Sequence, residues 1–296
     1  MDETITKLSL LVLTRLKEVS PQARILVGIC GIPASGKTSL ALQVVARINY
    51  IHQSATVTQR PVPLDIDSHN DHDERTVPPT TNDLIDVADV AICVSQDGWH
   101  LPRSVLDQFD DPKHAHDRRG AAFTFDGVAF SSFILALRAS PCSTPPFAPV
   151  QDATAGSRPD AVPTTTRDGG GSGVILAPSF SHTLKDPAPD AILIYPHHRV
   201  VVIEGLYTFL RIAPWDAAAH VLDERWFVDV DPVEARERLV RRHVLTGVAK
   251  DREDAEWRAD NNDIPNGHFI RENMLEPTQI VMSMYDPAFA SHGRTE

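Results

Sequence analysis

The chain has 296 residues, with 28 Lys and Arg against 40 Asp and Glu, for a formal net charge of −12. So acidic a surface repels nucleic acid and anionic membranes, and we predict neither as a partner. No apolar run approaches the roughly 18 residues of a membrane-spanning helix, and Asp2 and Glu3 are unlike the basic start of a signal peptide, so a cytoplasmic protein is expected.

The first elements are an amphipathic helix and a buried strand. Residues 4–19 place leucines and valines on one face at helical spacing, and Pro21 ends the pattern. The apolar run Ile25–Cys30 follows and predicts a parallel strand that is buried on both faces.

The next eight residues, Gly31–Thr38, match the phosphate-binding pattern G-x-x-x-x-G-K-[ST]. Its glycines let successive backbone N–H groups converge on a phosphate, and the start of the following helix adds partial positive charge. A chance match is the alternative, but the strand before the motif and the helix after it favour phosphate binding. The predicted nucleotide-binding residues are Gly31, Ala34, Ser35, Gly36, Lys37, Thr38 and Ser39.

Further apolar runs predict the rest of a parallel sheet. They lie at Val90–Val94, Val200–Ile203, Arg225–Val230 and Ile280–Ser283. Strands that alternate with helices indicate an α/β fold, here a doubly wound parallel sheet of about five strands with helices on both faces. In such sheets ligands bind at the carboxyl ends of the strands.

Two stretches differ from the rest in composition. Residues 52–84 are rich in Thr, His, Asp and Pro, and residues 140–173 in Pro, Ser, Thr and Gly. We interpret both stretches as inserts in a single domain that spans residues 1–296. The composition of the first insert is also compatible with disorder.

Two carboxylates follow predicted strands and could serve phosphate chemistry. Glu204 comes directly after Val200–Ile203 and could anchor Mg²⁺ together with Thr38, although a strand-end acid can also be only a cap. Asp97 could accept the proton of an attacking hydroxyl, but an Asp-Gly pair is also a common turn.

The chain resembles the uridine kinase, pantothenate kinase and phosphoribulokinase family of P-loop kinases. Asp97–Pro102 is similar to the family's Asp-Gly-Phe/Tyr-His segment, and Arg118–Ala121 with Thr124–Asp126 to its Lys/Arg-Gly and Phe-Asp segment. Pro178–His182 resembles the substrate-side segment of pantothenate kinases, and Ile203–Leu206 the acidic strand. The resemblance implies the P-loop NTPase fold, with a small lid.

Roles for individual residues also follow from the resemblance. It implies that Asp97 is the catalytic base, that Lys37 holds the transferring phosphoryl group, and that Thr38 and Glu204 bind Mg²⁺. It places an acceptor pocket at His100, Arg119, Phe180 and His182.

The lid is predicted at residues 232–262. Asp231 can cap a helix that begins at Pro232, and the resemblance implies that its arginines close over ATP. Arg238 and Arg242 share a face and are our choice for phosphate contact, with surface ion pairs along the helix as the alternative. Asn262 lies in a polar segment that could bind the acceptor or simply form a turn.

These observations predict an ATP-dependent, Mg²⁺-requiring kinase for a hydroxyl group of a small metabolite, such as a nucleoside, a sugar or a pantothenate-like alcohol. The alternative is an ATPase or nucleotide switch without a small acceptor. No Asn-Lys-x-Asp motif for guanine is present. A homodimer is left open.

Overall fold

A computed structural model describes residues 2–58, 88–142, 173–181 and 183–283. Most of both predicted inserts, and His182, lie outside the described residues. In chain order the elements are α1 (Asp2–Glu18), β1 (Ile25–Gly31), α2 (Lys37–Thr58), β2 (Ala91–Ser95), α3 (Arg103–Leu106), α4 (Pro112–Asp117), α5 (Gly127–Ala139), β3 (Ile175–Ser181), β4 (Asp186–Ile194), β5 (Val200–Gly205), α6 (Asp216–His220), β6 (Glu224–Asp229), α7 (Pro232–Leu245), α8 (Arg252–Arg258), α9 (Ile264–Asn273) and β7 (Gln279–Met282).

The central sheet has five strands in the order β2-β5-β1-β6-β7, and all of its strand pairs are parallel. This confirms the predicted α/β fold of a P-loop NTPase. Alternate side chains of β1 face opposite layers. Ile25, Val27 and Ile29 pack in the layer formed with α1 and α2. Leu26 and Cys30 pack in the other layer, with α5 and α6. Helices on both faces explain why every residue of β1 is buried.

Strand register brings the predicted chemistry to one edge of the sheet. Glu204 pairs with Ile29 of β1 on one side and with Ser95 of β2 on the other. Because the strands are parallel, their carboxyl ends lie together at one edge of the sheet. The phosphate loop follows β1 there, Asp97 follows β2, and Glu204 lies near the end of β5.

Three polar segments are helical in the structure. Helix α2 extends to Thr58, so residues 52–58 of the first predicted insert are helical. The polar residues 260–267, for which a turn was one of two interpretations, are helical: a π-helical segment at Ala259–Asp263 leads directly into α9. Residues 112–117 form α4, which Asp111 caps through the N–H of His114.

A second, antiparallel sheet formed by β3 and β4 was not predicted at all. This hairpin packs against a 3-10 turn at Gln96–Trp99 that directly follows β2. It therefore sits beside the carboxyl edge of the main sheet. Among the described residues, no helix has the length and apolar character needed to cross a membrane.

Candidate active site

The phosphate loop has the backbone of an anion cradle. Ala34 and Gly36 adopt left-handed conformations, with φ of 62° and 89°, and α2 begins at Lys37. A Cβ on Gly31 would lie 2.4 Å from Ser35 Oγ and 2.8 Å from the carbonyl oxygen of Val228. Ser35 Oγ is buried and has no hydrogen-bond partner among the described residues. The loop is thus tightly folded and leads directly into the start of a helix, an arrangement that suits a bound phosphate.

Lys37, Thr38 and Glu204 lie together behind this loop. The Thr38 hydroxyl donates to Glu204 Oε2 at 3.0 Å, and Glu204 is only 3% exposed. Burial raises the pKa of Glu204, while the Lys37 charge and hydrogen bonds from Ser95 and Thr38 oppose the rise. Burial lowers the pKa of Lys37, and the charges of Glu204 and Asp97 oppose that shift. A buried ammonium and carboxylate thus face each other where phosphates and a cation are expected.

Asp97 sits in the 3-10 turn at Gln96–Trp99 with its side chain 44% exposed. Its backbone N–H donates to Ser95 Oγ at 3.3 Å, and its carbonyl oxygen accepts from His100 Nδ1 at 2.9 Å. Its charge affects the pKa of both Lys37 and Glu204, which places it on their side of the sheet edge. The backbone of Asp97 is therefore fixed by hydrogen bonds while its carboxylate stays open to solvent, so a substrate hydroxyl could reach it.

An aromatic wall continues from Asp97 towards the hairpin. The His100 ring lies 3.9 Å from that of Phe125 and 5.1 Å from that of Phe180, between centroids. The hairpin approaches so closely that a Cβ on Gly98 would lie 2.4 Å from the carbonyl oxygen of Pro178. The structure therefore brings His100 and Phe180, both predicted acceptor residues, to one surface.

Arg119 fastens the hairpin to this wall. Its Nη2 donates to Asp186 Oδ1 at 2.7 Å and to the Leu101 carbonyl at 3.0 Å, and its Nη1 donates to the Lys185 carbonyl at 2.5 Å. The guanidinium also lies 5.6 Å from the Phe180 ring centroid. Its charge is thus balanced by Asp186, and its contact with an acceptor stays a prediction.

Helix α7, which is part of the predicted lid, lies against the phosphate loop. Arg238 donates to the Ala34 carbonyl at 3.4 Å and to Ser283 Oγ at 2.8 Å, and it is ion-paired with Glu234. Arg242 is close enough to lower the pKa of Lys37 through its charge. Both predicted lid arginines therefore border the nucleotide side, and their contact with phosphate stays a prediction.

Asn262 is hydrogen-bonded to the segment that carries Arg119. Its Nδ2 donates to the Arg119 carbonyl at 3.0 Å, and its Oδ1 accepts from Arg118 Nε and Asn266 Nδ2, each at 3.3 Å. In this structure its amide contacts protein groups, and direct contact with an acceptor stays a prediction.

Sequence reasoning missed Tyr207 and Gln96. Tyr207 is fully buried, and its hydroxyl donates to the Gly120 carbonyl at 2.7 Å. The backbone N–H of Tyr207 donates to Gln96 Oε1 at 2.8 Å, and the Gln96 side chain is fully buried. A Cβ on Gly205 would lie 2.4 Å from Gln96 Cβ. The sequence signal for these two residues was only their position: Gln96 directly precedes Asp97, and Tyr207 lies three residues after Glu204.

Several proteins of similar sequence are named as kinases or kinase-like proteins. A protein of Aspergillus versicolor named ATP-dependent kinase-like protein notR′ is 41% identical over 185 residues, which cover 62% of this chain and 92% of that protein. The chain belongs to the uridine kinase-like family of P-loop kinases. The "Putative uridine kinase C227.14" of Schizosaccharomyces pombe is 27% identical over 263 residues, covering 89% of this chain and 85% of that protein.

The fold agrees with that membership. The crystal structure of YFH7 from Saccharomyces cerevisiae superposes with a TM-score of 0.68 at 23% identity, over 95% of this chain and 99% of that one. The ATP-dependent kinase YFH7 of Lachancea thermotolerans is 34% identical over 202 residues, and the chain spans 56% of its length. No family model matches the chain.

Proposed function

We propose that the protein transfers the γ-phosphoryl group of ATP to a hydroxyl group of a small metabolite. The proposal is carried by one observation: the phosphate-loop lysine, the buried Glu204 and the open carboxylate of Asp97 meet at one sheet edge. Family membership supports a kinase that uses ATP. The acceptor class and the catalytic roles are the inference.

The reaction follows from what each group can do. The phosphate loop and Lys37 hold the β- and γ-phosphates, and Asp97 takes the proton from the acceptor oxygen as that oxygen attacks. The new bond forms between the acceptor oxygen and γ-phosphorus, the bond from γ-phosphorus to the bridging oxygen breaks, and ADP leaves. Lys37 and a lid arginine, Arg238 or Arg242, stabilise the charge on the transferring group.

The donors at Thr38 and Glu204 suit Mg²⁺. A hydroxyl and a carboxylate are hard oxygen ligands, and Mg²⁺ commonly takes one or two from protein and the rest from phosphates and water. When bound, the ion would neutralise phosphate charge.

The acceptor would lie on the aromatic wall between Asp97 and the hairpin. His100 and Phe180 line this surface, Arg119 and Asn262 border it, and His182 follows β3 outside the described residues. An aromatic wall bordered by polar side chains suits an acceptor that has a ring or carbon-chain face and hydroxyl groups at its rim. Nucleosides, sugars and pantothenate-like alcohols are the classes to test.

A screen of ADP formation tests the proposal. The protein is incubated with ATP and Mg²⁺ and with panels of nucleosides, sugars, vitamins and polyols, alongside the Asp97→Asn variant. We expect one class to stimulate ADP formation in the unsubstituted protein and not in the variant. ATP hydrolysis that no alcohol stimulates would instead support an ATPase or nucleotide switch.

A further inference from the structure

Three side chains bind the backbone of the turn Arg118–Gly120, here the acceptor-side turn, in addition to the bonds that the Arg119 side chain makes to the hairpin. The Tyr207 hydroxyl donates to the Gly120 carbonyl at 2.7 Å, and the Gly120 N–H donates to Thr124 Oγ1 at 3.0 Å. The third side chain is that of Asn262, whose Nδ2 donates to the Arg119 carbonyl at 3.0 Å. The first two partners belong to the core and to the same loop. Only Asn262 comes from the segment that adjoins the lid.

Asn262 also connects to the phosphate loop. Its Oδ1 accepts from Nδ2 of Asn266, which is 4% exposed, and the next residue is Gly267. A Cβ on Gly267 would lie 3.2 Å from Ile32 Cγ2 of the phosphate loop. A continuous path of contacts therefore runs from the phosphate loop through the start of α9 to the acceptor-side turn.

The neighbours of Asn262 anchor the same segment to the lid helix. Asp260 accepts two hydrogen bonds from Arg236 of α7, at 2.7 and 2.8 Å. Asp263 lies 2.8 Å from Nε2 of His243, also on α7. Residues on either side of Asn262 thus bind α7, while Asn262 itself turns to the acceptor side. The segment Ala259–Asp263 joins the two halves of the site.

We propose that Asn262 is a positioning residue that couples nucleotide occupancy of the phosphate loop to the order of the acceptor-side turn. This rests on the proposed function, since it assumes that the phosphate loop binds ATP. A nucleotide that orders Ile32 and α7 also orders the segment between them, and Asn262 passes that order to Arg118–Gly120. Nucleotide binding thereby orders the turn that borders the acceptor-binding surface.

The amide group of Asn262 is suited to this role because it donates and accepts at once. Alanine at this position removes both functions. Aspartate keeps the acceptor for Arg118 but loses the donor to the Arg119 carbonyl, so Asn262→Asp isolates the bond to the turn. Asn261 is the matched control, since it is the same residue type, is exposed, and donates its side-chain amide to the Trp257 carbonyl four residues earlier.

Hydrogen exchange with the non-hydrolysable analogue AMP-PNP and Mg²⁺ tests the coupling. In the unsubstituted protein and in Asn261→Ala, we expect AMP-PNP to slow exchange in peptides of the phosphate loop and of residues 118–124. In Asn262→Ala and Asn262→Asp, calorimetry should show AMP-PNP affinity within about twofold of the unsubstituted protein. Exchange at 118–124 should then be about threefold to tenfold faster in the complex, the scale of one lost hydrogen bond.

Two outcomes contradict the proposal in different ways. If AMP-PNP binds normally and protects residues 118–124 equally in the Asn262 variants, the coupling is wrong and the proposed function stands. If the unsubstituted protein does not bind AMP-PNP at all, the proposed function fails first. A general loss of stability would raise exchange with and without AMP-PNP alike, and so would also contradict a positioning role.

Discussion

The two halves of the candidate site are built in different ways. The centre of the nucleotide half is one continuous piece of chain, in which β1 delivers Gly31–Thr38 directly to the start of α2, and Glu204 and α7 border it. The acceptor half is assembled from four separate pieces: the turn after β2, the loop around Arg119, the β3–β4 hairpin and the segment with Asn262. Local backbone geometry determines the first half, and long-range contacts determine the second.

This difference indicates where specificity can change. A loop that binds phosphate through backbone N–H groups depends little on side-chain identity, apart from its glycines, Lys37 and Thr38. The acceptor half depends on how four segments pack, so its ligand can change while the phosphate chemistry persists. Substitutions in the two halves should therefore have separable effects on nucleotide and acceptor.

The largest effect is expected at Asp97. Asp97→Asn should reduce phosphotransfer by about 10²–10⁴-fold, because the amide cannot accept the acceptor proton. AMP-PNP affinity, measured by calorimetry, should stay within about twofold. Asp110→Asn, at an exposed position in the loop between α3 and α4, is the matched control. Near-normal turnover in Asp97→Asn would remove Asp97 from the role of base.

Next in size is the effect of Lys37→Ala, which should act on the nucleotide half. Loss of a charged hydrogen bond to phosphate, worth about 1.5–3 kcal/mol, corresponds to roughly 10- to 150-fold weaker AMP-PNP binding. The rate should fall as well. Unchanged affinity would mean that the nucleotide does not bind at Gly31–Thr38.

A pair of glycine substitutions compares the two halves directly. A Cβ at Gly31 would meet the Val228 carbonyl at 2.8 Å, and one at Gly98 would meet the Pro178 carbonyl at 2.4 Å. Because backbone atoms must move to make room, each alanine should weaken ligand binding in its own half of the site by about tenfold. That factor lies within the usual 1–3 kcal/mol for overpacking. Gly31→Ala should raise the Kd of AMP-PNP. Gly98→Ala should raise the acceptor KM and leave that Kd unchanged; equal effects on both would refute the separation.

The same division explains what the sequence could predict. The phosphate loop and the five core strands were predicted because motif and apolar runs are local signals, and each strand boundary lies within two residues of the expected one. The β3–β4 hairpin was missed because its strands contain Pro178, Pro187 and Pro189 and are only partly buried. The Arg119–Asp186 pair joins residues 67 apart in sequence, and no local pattern marks it.

The helical structure of residues 260–267 could not be predicted for a related reason. The polar sequence Asp260–Gly267 favours a turn by composition, but Asp260 and Asp263 are bound by Arg236 and His243 of α7. Tertiary contacts there override local preference.

The smallest effect is expected far from both halves, at His198. Burial lowers the pKa of His198 to about 4 from its usual 6.5, and its Nδ1 accepts the Tyr195 N–H at 3.0 Å. The His198 side chain becomes protonated near pH 6.5 in the unfolded chain but only near pH 4 in the folded chain. Its contribution to the free energy of unfolding is therefore complete above pH 6.5 and is lost as the pH falls from 6.5 to about 4.

His198→Asn keeps an acceptor for the Tyr195 N–H without titrating. Its melting temperature should fall less between pH 7 and pH 4.5 than that of the unsubstituted protein, by a few degrees. Parallel melting curves across this range would show that His198 does not contribute to the pH dependence.

The fate of the γ-phosphoryl group tests the central claim most directly. With γ-³²P-labelled ATP, Mg²⁺ and the acceptor class found by screening, the label should move into a phosphate ester of the acceptor, and Asp97→Asn should slow that transfer by about 10²–10⁴-fold. Label that appears only as inorganic phosphate, whichever alcohol is present, would contradict a kinase that joins the two halves.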